Sequence, residues 1–233
     1  RLALLTICMT LSTVAVAGAA DDTLKPKDDG YRGIWFTLGQ FTDAPYGKGE
    51  WKDFWDYGDK YSGGLGTYTA KHLPLAIYAP AVKKTFFCYG GSKGGQRYLY
   101  NMISYYDHQK DRVPRPTIVH DKGGVDDPHD DSSLTIDPEG RIWVYVAGRG
   151  RSRPGFVYRS ARPYDIDRFE LISSDEICYP QPWYVEGEGI FELFTKYTGV
   201  RELYWNFRKP DGSRGEDRKL AGIEGHYQVS FRQ

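Results

Sequence analysis

Apolar and polar positions along this chain alternate in short runs that return at a nearly constant interval. Lys71–Gly91 (KHLPLAIYAPAVKKTFFCYGG), His129–Gly150 (HDDSSLTIDPEGRIWVYVAGRG) and Tyr179–Gly199 (YPQPWYVEGEGIFELFTKYTG) share one layout. Each holds a polar or aromatic cluster, a strand, a turn and a second strand rich in aromatics. GHYQVSF, from Gly225, opens a fourth. The openings at His72, His129, Tyr179 and His226 lie 57, 50 and 47 residues apart, and a period of about 50 is the length of one four-stranded propeller blade. Asp137-Pro138-Glu139-Gly140 and Glu186-Gly187-Glu188-Gly189 supply the positive-φ positions that hairpin turns need. Beside them, Ile142–Val146 and Ile190–Phe194 read as second strands. Leu99–Tyr106, Phe156–Ser160 and Glu202–Phe207 read as third strands, and Thr117–His120 and Phe169–Ile172 as outer fourth strands.

The expected fold is therefore all-β, a β-propeller of four-stranded blades, with about seven blades in the full protein. Three blades fall near 68–122, 126–175 and 177–222, and a further one starts at 225–233, within a partial propeller domain over 21–233. Tyr31–Thr37 reads as a lone strand suited to closing the ring. The Gly- and aromatic-rich loop after it carries Trp51, Phe54, Trp55, Tyr57 and Tyr61, for packing or as a sugar platform. The chain does not begin with Met and stops inside a strand-like run, so it reads as cut at both ends.

Composition narrows the classes. Aromatics make up 15% of the 233 residues, with 19 Tyr and 27 Gly, which suits many short strands and turns. Residues 1–20 carry one charge, Arg1, then an apolar run from Leu2 to Met9, then Ala15-Val16-Ala17 and Ala17-Gly18-Ala19. That is the layout of a cleaved export signal. Thr6, Thr10, Ser12 and Thr13 break the run well short of the about 20 apolar residues of a membrane span. A secreted or periplasmic protein without membrane attachment after cleavage is expected. Removing Arg1 leaves 30 basic and 31 acidic residues, which gives no electrostatic case for nucleic acid. Cys88 and Cys178, the cysteines outside the leader, sit in strand-like apolar runs as buried free thiols or as one bridge.

Propellers place ligands around the central channel, at the residues entering each innermost strand. Here these are Lys71-His72, Asp126-Asp127-Pro128-His129-Asp130-Asp131, Tyr179-Pro180-Gln181 and His226-Tyr227. A purely structural ring has no need of His, Tyr and Lys recurring there. Asp127, Asp130 and Asp131 beside His129 are candidate ligands for a divalent cation, but they lack the spacing of a calcium loop and a solvated acidic turn without metal is the default reading. No organic cofactor is implied.

YRGIWFTLGQ, KYSGGLGTYTAKHLPLAIY, DDPHDDSSL, YPQPWYVEGEGIFELFTKYT and GHYQVSF resemble the BNR-4 repeat proteins, which include the propeller-type ulvan lyases. The resemblance spans about Tyr31 to Gln233. It implies β-elimination on an anionic, uronate-containing polysaccharide. A base removes the proton at C5, an acid protonates the leaving oxygen, and a cation neutralises the uronate carboxylate. His129 matches the base and Tyr179 the tyrosine opening the next blade. The family's arginine on the following strand is replaced by Lys196, which keeps the charge and loses the bidentate fork. Arg201 is the nearby substitute, and His72, His226 and Tyr227 line the same channel. The four aspartates around His129 would repel a uronate, and a strand-capping His129, a stacked Tyr179 and a surface Lys196 are the plainer alternatives. His120 reads as structural.

Two other functions fit the same propeller. TIDPEGRIW resembles the Asp-box of sialidase-type hydrolases with one residue too many, and Arg32 can join an arginine cluster. A non-catalytic carbohydrate-binding propeller would stack Trp51, Trp55, Tyr57 and Trp183 on sugar faces.

Overall fold

The computed structural model describes residues 72–91, 99–123, 125, 128–224 and 226–232. Among the described residues, twelve strands form three antiparallel four-stranded sheets in which each strand pairs with the next in sequence. The first sheet holds β1 (Ala76–Ala79), β2 (Lys84–Gly91), β3 (Tyr100–Asp107) and β4 (Thr117–Asp121). The second holds β5 (Ser132–Ile136), β6 (Ile142–Val146), β7 (Gly155–Ser160) and β8 (Phe169–Asp175). The third holds β9 (Cys178–Val185), β10 (Gly189–Tyr197), β11 (Arg201–Arg208) and β12 (Arg218–Glu224). This up-and-down meander, repeated three times, is the blade of a β-propeller. The leader, the strand proposed at 31–37 and the aromatic loop after it lie outside the described residues, as do Lys71, Asp126 and Asp127.

The wholly apolar run of β6 follows from its place in the stack. Ile142, Val144 and Val146 face the first blade and pack with Phe86, Cys88, Ile103 and Leu134. Trp143 and Tyr145 face the third and pack with Val157, Ile177, Ile190 and Phe194. A strand covered on both sides has no solvent face, so the period-2 signal disappears into a continuous hydrophobic run. Burying each such side chain contributes about 1.5–3 kcal/mol.

The turns carry their own chemistry. Gly140 has φ +80, and its N–H bonds the Asp137 carbonyl at 2.9 Å. The Asp137 carboxylate accepts from the Arg141 N–H and the Trp143 indole, both at 2.8 Å. Asp137 is thus committed to its hairpin turn. Both Cys88 and Cys178 are free buried thiols. Burial pushes the Cys88 thiol up, and that of Cys178 up to about 12.

Neighbouring blades are tied through their innermost strands. The Leu134 N–H reaches the Pro74 carbonyl at 3.0 Å, and the Ser133 hydroxyl reaches the Pro180 carbonyl at 2.8 Å. The Gln181 amide donates to the Gln228 carbonyl at 3.1 Å and accepts the Ser230 N–H at 2.7 Å. In this way residues 226–232 lie along β9 without forming a strand of their own.

Candidate functional site

The inner end of each blade presents a polar ring system. His72 leads into β1, His129 lies in the 3-10 turn Pro128–Asp130 before β5, Tyr179 is the second residue of β9, and Tyr227 follows β12. Tyr179 is the hub. Its ring lies 5.9 Å from His72, 5.8 Å from His129 in an edge contact, and 5.3 Å from Tyr227, again edge-on. His72 Nε2 is 3.0 Å from the His129 carbonyl oxygen. A carbonyl only accepts, so the His72 proton sits on Nε2.

Tyr179 adopts φ +51, a left-handed conformation that costs a non-glycine residue free energy. A bulge explains it. Leu193 pairs with Gln181 and Thr195 with Cys178, so β9 spends one more residue than β10 between these points. The extra length falls on Tyr179-Pro180, where a proline without an N–H interrupts no ladder bond. The bulge turns the phenol toward the ends of β10 and β11. There the Tyr179 and Tyr197 hydroxyls meet at 3.1 Å, and Arg149 donates to the Tyr179 oxygen at 3.4 Å. The Arg149 guanidinium stands 5.2 Å from the Tyr197 ring centre, and that of Arg201 lies 5.8 Å from the Tyr197 ring and 4.2 Å from the Tyr227 ring. Tyr179 is fully buried. Burial first, then the Tyr197 phenol, raises its pKa, and Arg149 pulls the other way.

Asp130, one of the acidic residues beside His129, is neutralised locally. Asp130 is buried and takes Arg153 Nε at 2.9 Å and Lys122 Nζ at 3.2 Å. Lys122 also caps the Ala147 carbonyl at 2.8 Å. Burial draws its pKa down, with Asp130 opposing. Asp131 is buried under Gly90, where a Cβ would come within 2.6 Å of its carboxylate. The repulsion that four aspartates would exert on an anionic ligand is therefore reduced at Asp130 by two cations. The same pairing places cations on Asp130 where a metal would bind. Among the described residues no group of three or more His, Cys, Asp or Glu is arranged to hold a metal ion.

Of the sequence-derived candidates, His72, His129, Tyr179, Arg201 and Tyr227 come together. Lys196 does not join them. Its ammonium pairs with Asp217 at 2.5 Å and lies 4.9 Å from the Tyr204 ring centre, because successive residues of β10 point to opposite faces. His226 is exposed, with its N–H on the Ile223 carbonyl at 2.7 Å. His120 sits on β4 with Nδ1 2.7 Å from the Tyr158 hydroxyl. The Trp183 indole donates to the Ser230 hydroxyl at 2.9 Å. Two residues of the cluster, Arg149 and Tyr197, had not been singled out. Arg149 stands between two glycines just after β6, and a Cβ at Gly148 would come within 2.4 Å of the Arg153 carbonyl oxygen. Tyr197 is the immediate neighbour of Lys196, one position from where a cation was sought.

Imidazoles, phenols and guanidiniums gathered at the inner ends of the blades are groups able to exchange protons and to attract an anion. The fold defines the class: a β-propeller with four-stranded blades. Similar solved structures are those of a polysaccharide lyase, ulvan lyase PL25. One, bound to -[GlcA(1-4)Rha3S]-, has TM-score 0.54 and 19% identity over 67% of this chain and 39% of that chain. The other, described without an oligosaccharide, has TM-score 0.54 and 20% identity with the same coverage. This chain thus spans about two fifths of the length of those lyases. No family model matches the chain, and no curated protein matches it.

Proposed function

We propose that this chain is part of a secreted, carbohydrate-active propeller of the BNR-4 kind that cleaves a uronate-containing, ulvan-like polysaccharide by β-elimination. The observation that carries this reading is the clustering of His72, His129, Tyr179, Arg201 and Tyr227 around one phenol. The likeness in fold to lyases described with a GlcA-containing oligosaccharide supports it. His129 acts as the base, Tyr179 with its partner Tyr197 as the acid, and the arginines hold the carboxylate. A positioned acid and base contribute about 10²–10⁴-fold each. Fixed cations favour the charge that develops as the C5 proton leaves.

The test uses the full-length protein with ulvan and related uronate polysaccharides. Growth of the ultraviolet absorbance of an unsaturated sugar is expected, and His129→Ala is expected to abolish it with the fold intact. Reducing ends without absorbance would identify a hydrolase. Binding without either would identify a binding module.

A further inference from the structure

Tyr179 is the tyrosine that its place at the opening of a blade singles out, yet its side chain is fully buried. Its hydroxyl faces another phenol, Tyr197, at 3.1 Å. Tyr197 is half-buried at the C-terminal end of β10, where it is the more accessible member of the pair. The Arg149 guanidinium donates to the Tyr179 oxygen at 3.4 Å. Either hydroxyl can donate across this pair; in the arrangement where Tyr179 donates, the Tyr197 proton points away from the pair. Two guanidiniums, 5.2 and 5.8 Å from the Tyr197 ring centre, surround the same phenol with positive charge.

We propose that Tyr197 is the catalytic acid that touches the substrate, and that Tyr179 is its buried positioning partner. The inference rests on the elimination reading above. In the step, the base takes the C5 proton and the C5–H electron pair becomes the C4=C5 double bond. The C4–O bond breaks, and the leaving oxygen takes the Tyr197 proton. Arg149 and Arg201 stand beside the phenolate this creates, and a fixed positive charge there lowers the cost of forming it. The phenolate then regains a proton, and the base gives up the one it gained. The hydrogen bond to the buried Tyr179 also fixes the Tyr197 ring, which matters because small misplacements of an acid are costly.

The full-length wild-type protein first has to produce unsaturated sugar, and failure there defeats the elimination reading itself. Given activity, Tyr197→Phe is expected to lower kcat about 100-fold or more with little change in KM. Tyr179→Phe is expected to cost clearly less. Retention of kcat within about threefold in folded Tyr197→Phe, while Tyr179→Phe is inactive, would overturn the proposal and leave the lyase reading standing. A second variant guards against misfolding: 3-fluorotyrosine in place of Tyr197 keeps the shape and the hydrogen bond while making the phenol more acidic. The alkaline limb of the kcat profile, which reports the acid in the complex, is then expected to move to lower pH. An unmoved limb overturns the assignment.

Discussion

His120 shows how a single titratable side chain responds to its packing. Its ring stacks on Phe156 at 4.3 Å between centroids. Burial first, and then the Lys122 charge, hold its pKa down at about 4. An unfolded histidine titrates at about 6.5. As pH falls from about 6.5 to about 4, the unfolded chain therefore binds a proton that the folded one refuses, and stability falls through that window. His120→Phe preserves the stack and removes the proton site. It is expected to flatten this part of the stability profile, measured as urea midpoints across the window. An unchanged slope would assign the acid sensitivity to another group. In the sequence His120 was legible as structural because it ends an outer strand, while its contact with Tyr158, 38 positions away, was not.

At the scale of an element, β10 carries a carboxylate on the face that packs against the second blade. Glu192 is 3% exposed. It accepts from the Tyr145 hydroxyl at 2.8 Å, Arg208 Nε at 2.6 Å and Arg214 Nε at 3.0 Å. Arg208 also reaches Asp175 at 3.0 Å. Glu192→Ala would leave a buried guanidinium and a buried phenol without this acceptor, at a cost of about 3–5 kcal/mol. Denaturant unfolding is the measurement. A loss below about 1 kcal/mol would mean that the network rearranges around the gap. Nothing local marked Glu192 as interior: in FELF it reads as the polar position of an alternating strand. Its partners come from β6, β11 and the loop after β11, so only packing explains it. Lys196 and Tyr197 teach the same lesson, since a shift of one residue moves a side chain to the other face of the strand.

Across the whole molecule, equivalent positions of successive repeats bond to one another. Ser133 to Pro180 and Gln181 to Gln228 are each 47 residues apart. Such ties set the register between blades while leaving each sheet a meander of local pairings. Gln181→Ala removes the amide that holds both the Gln228 carbonyl and the Ser230 N–H. Each hydrogen bond contributes about 0.5–1.5 kcal/mol, so hydrogen exchange at Ser230 is expected to quicken by up to about tenfold per bond. Unaltered exchange there would show that residues 226–232 are held by other contacts.

The sequence by itself determined the all-β class, the strand pattern and the polar residues that open each blade. Period-2 alternation, turn glycines and repeat spacing are local properties of the chain and need no tertiary information. It also selected His129 and Tyr179, because their places in the repeat put them at one end of neighbouring blades. Only the tertiary structure decided that Arg149 and Tyr197 complete the cluster, that Lys196 turns to Asp217, and that Lys122 and Arg153 neutralise Asp130. Each of these depends on the bulge at Tyr179-Pro180 or on a partner in a different strand or blade, and side-chain direction across such distances is set by packing rather than by spacing.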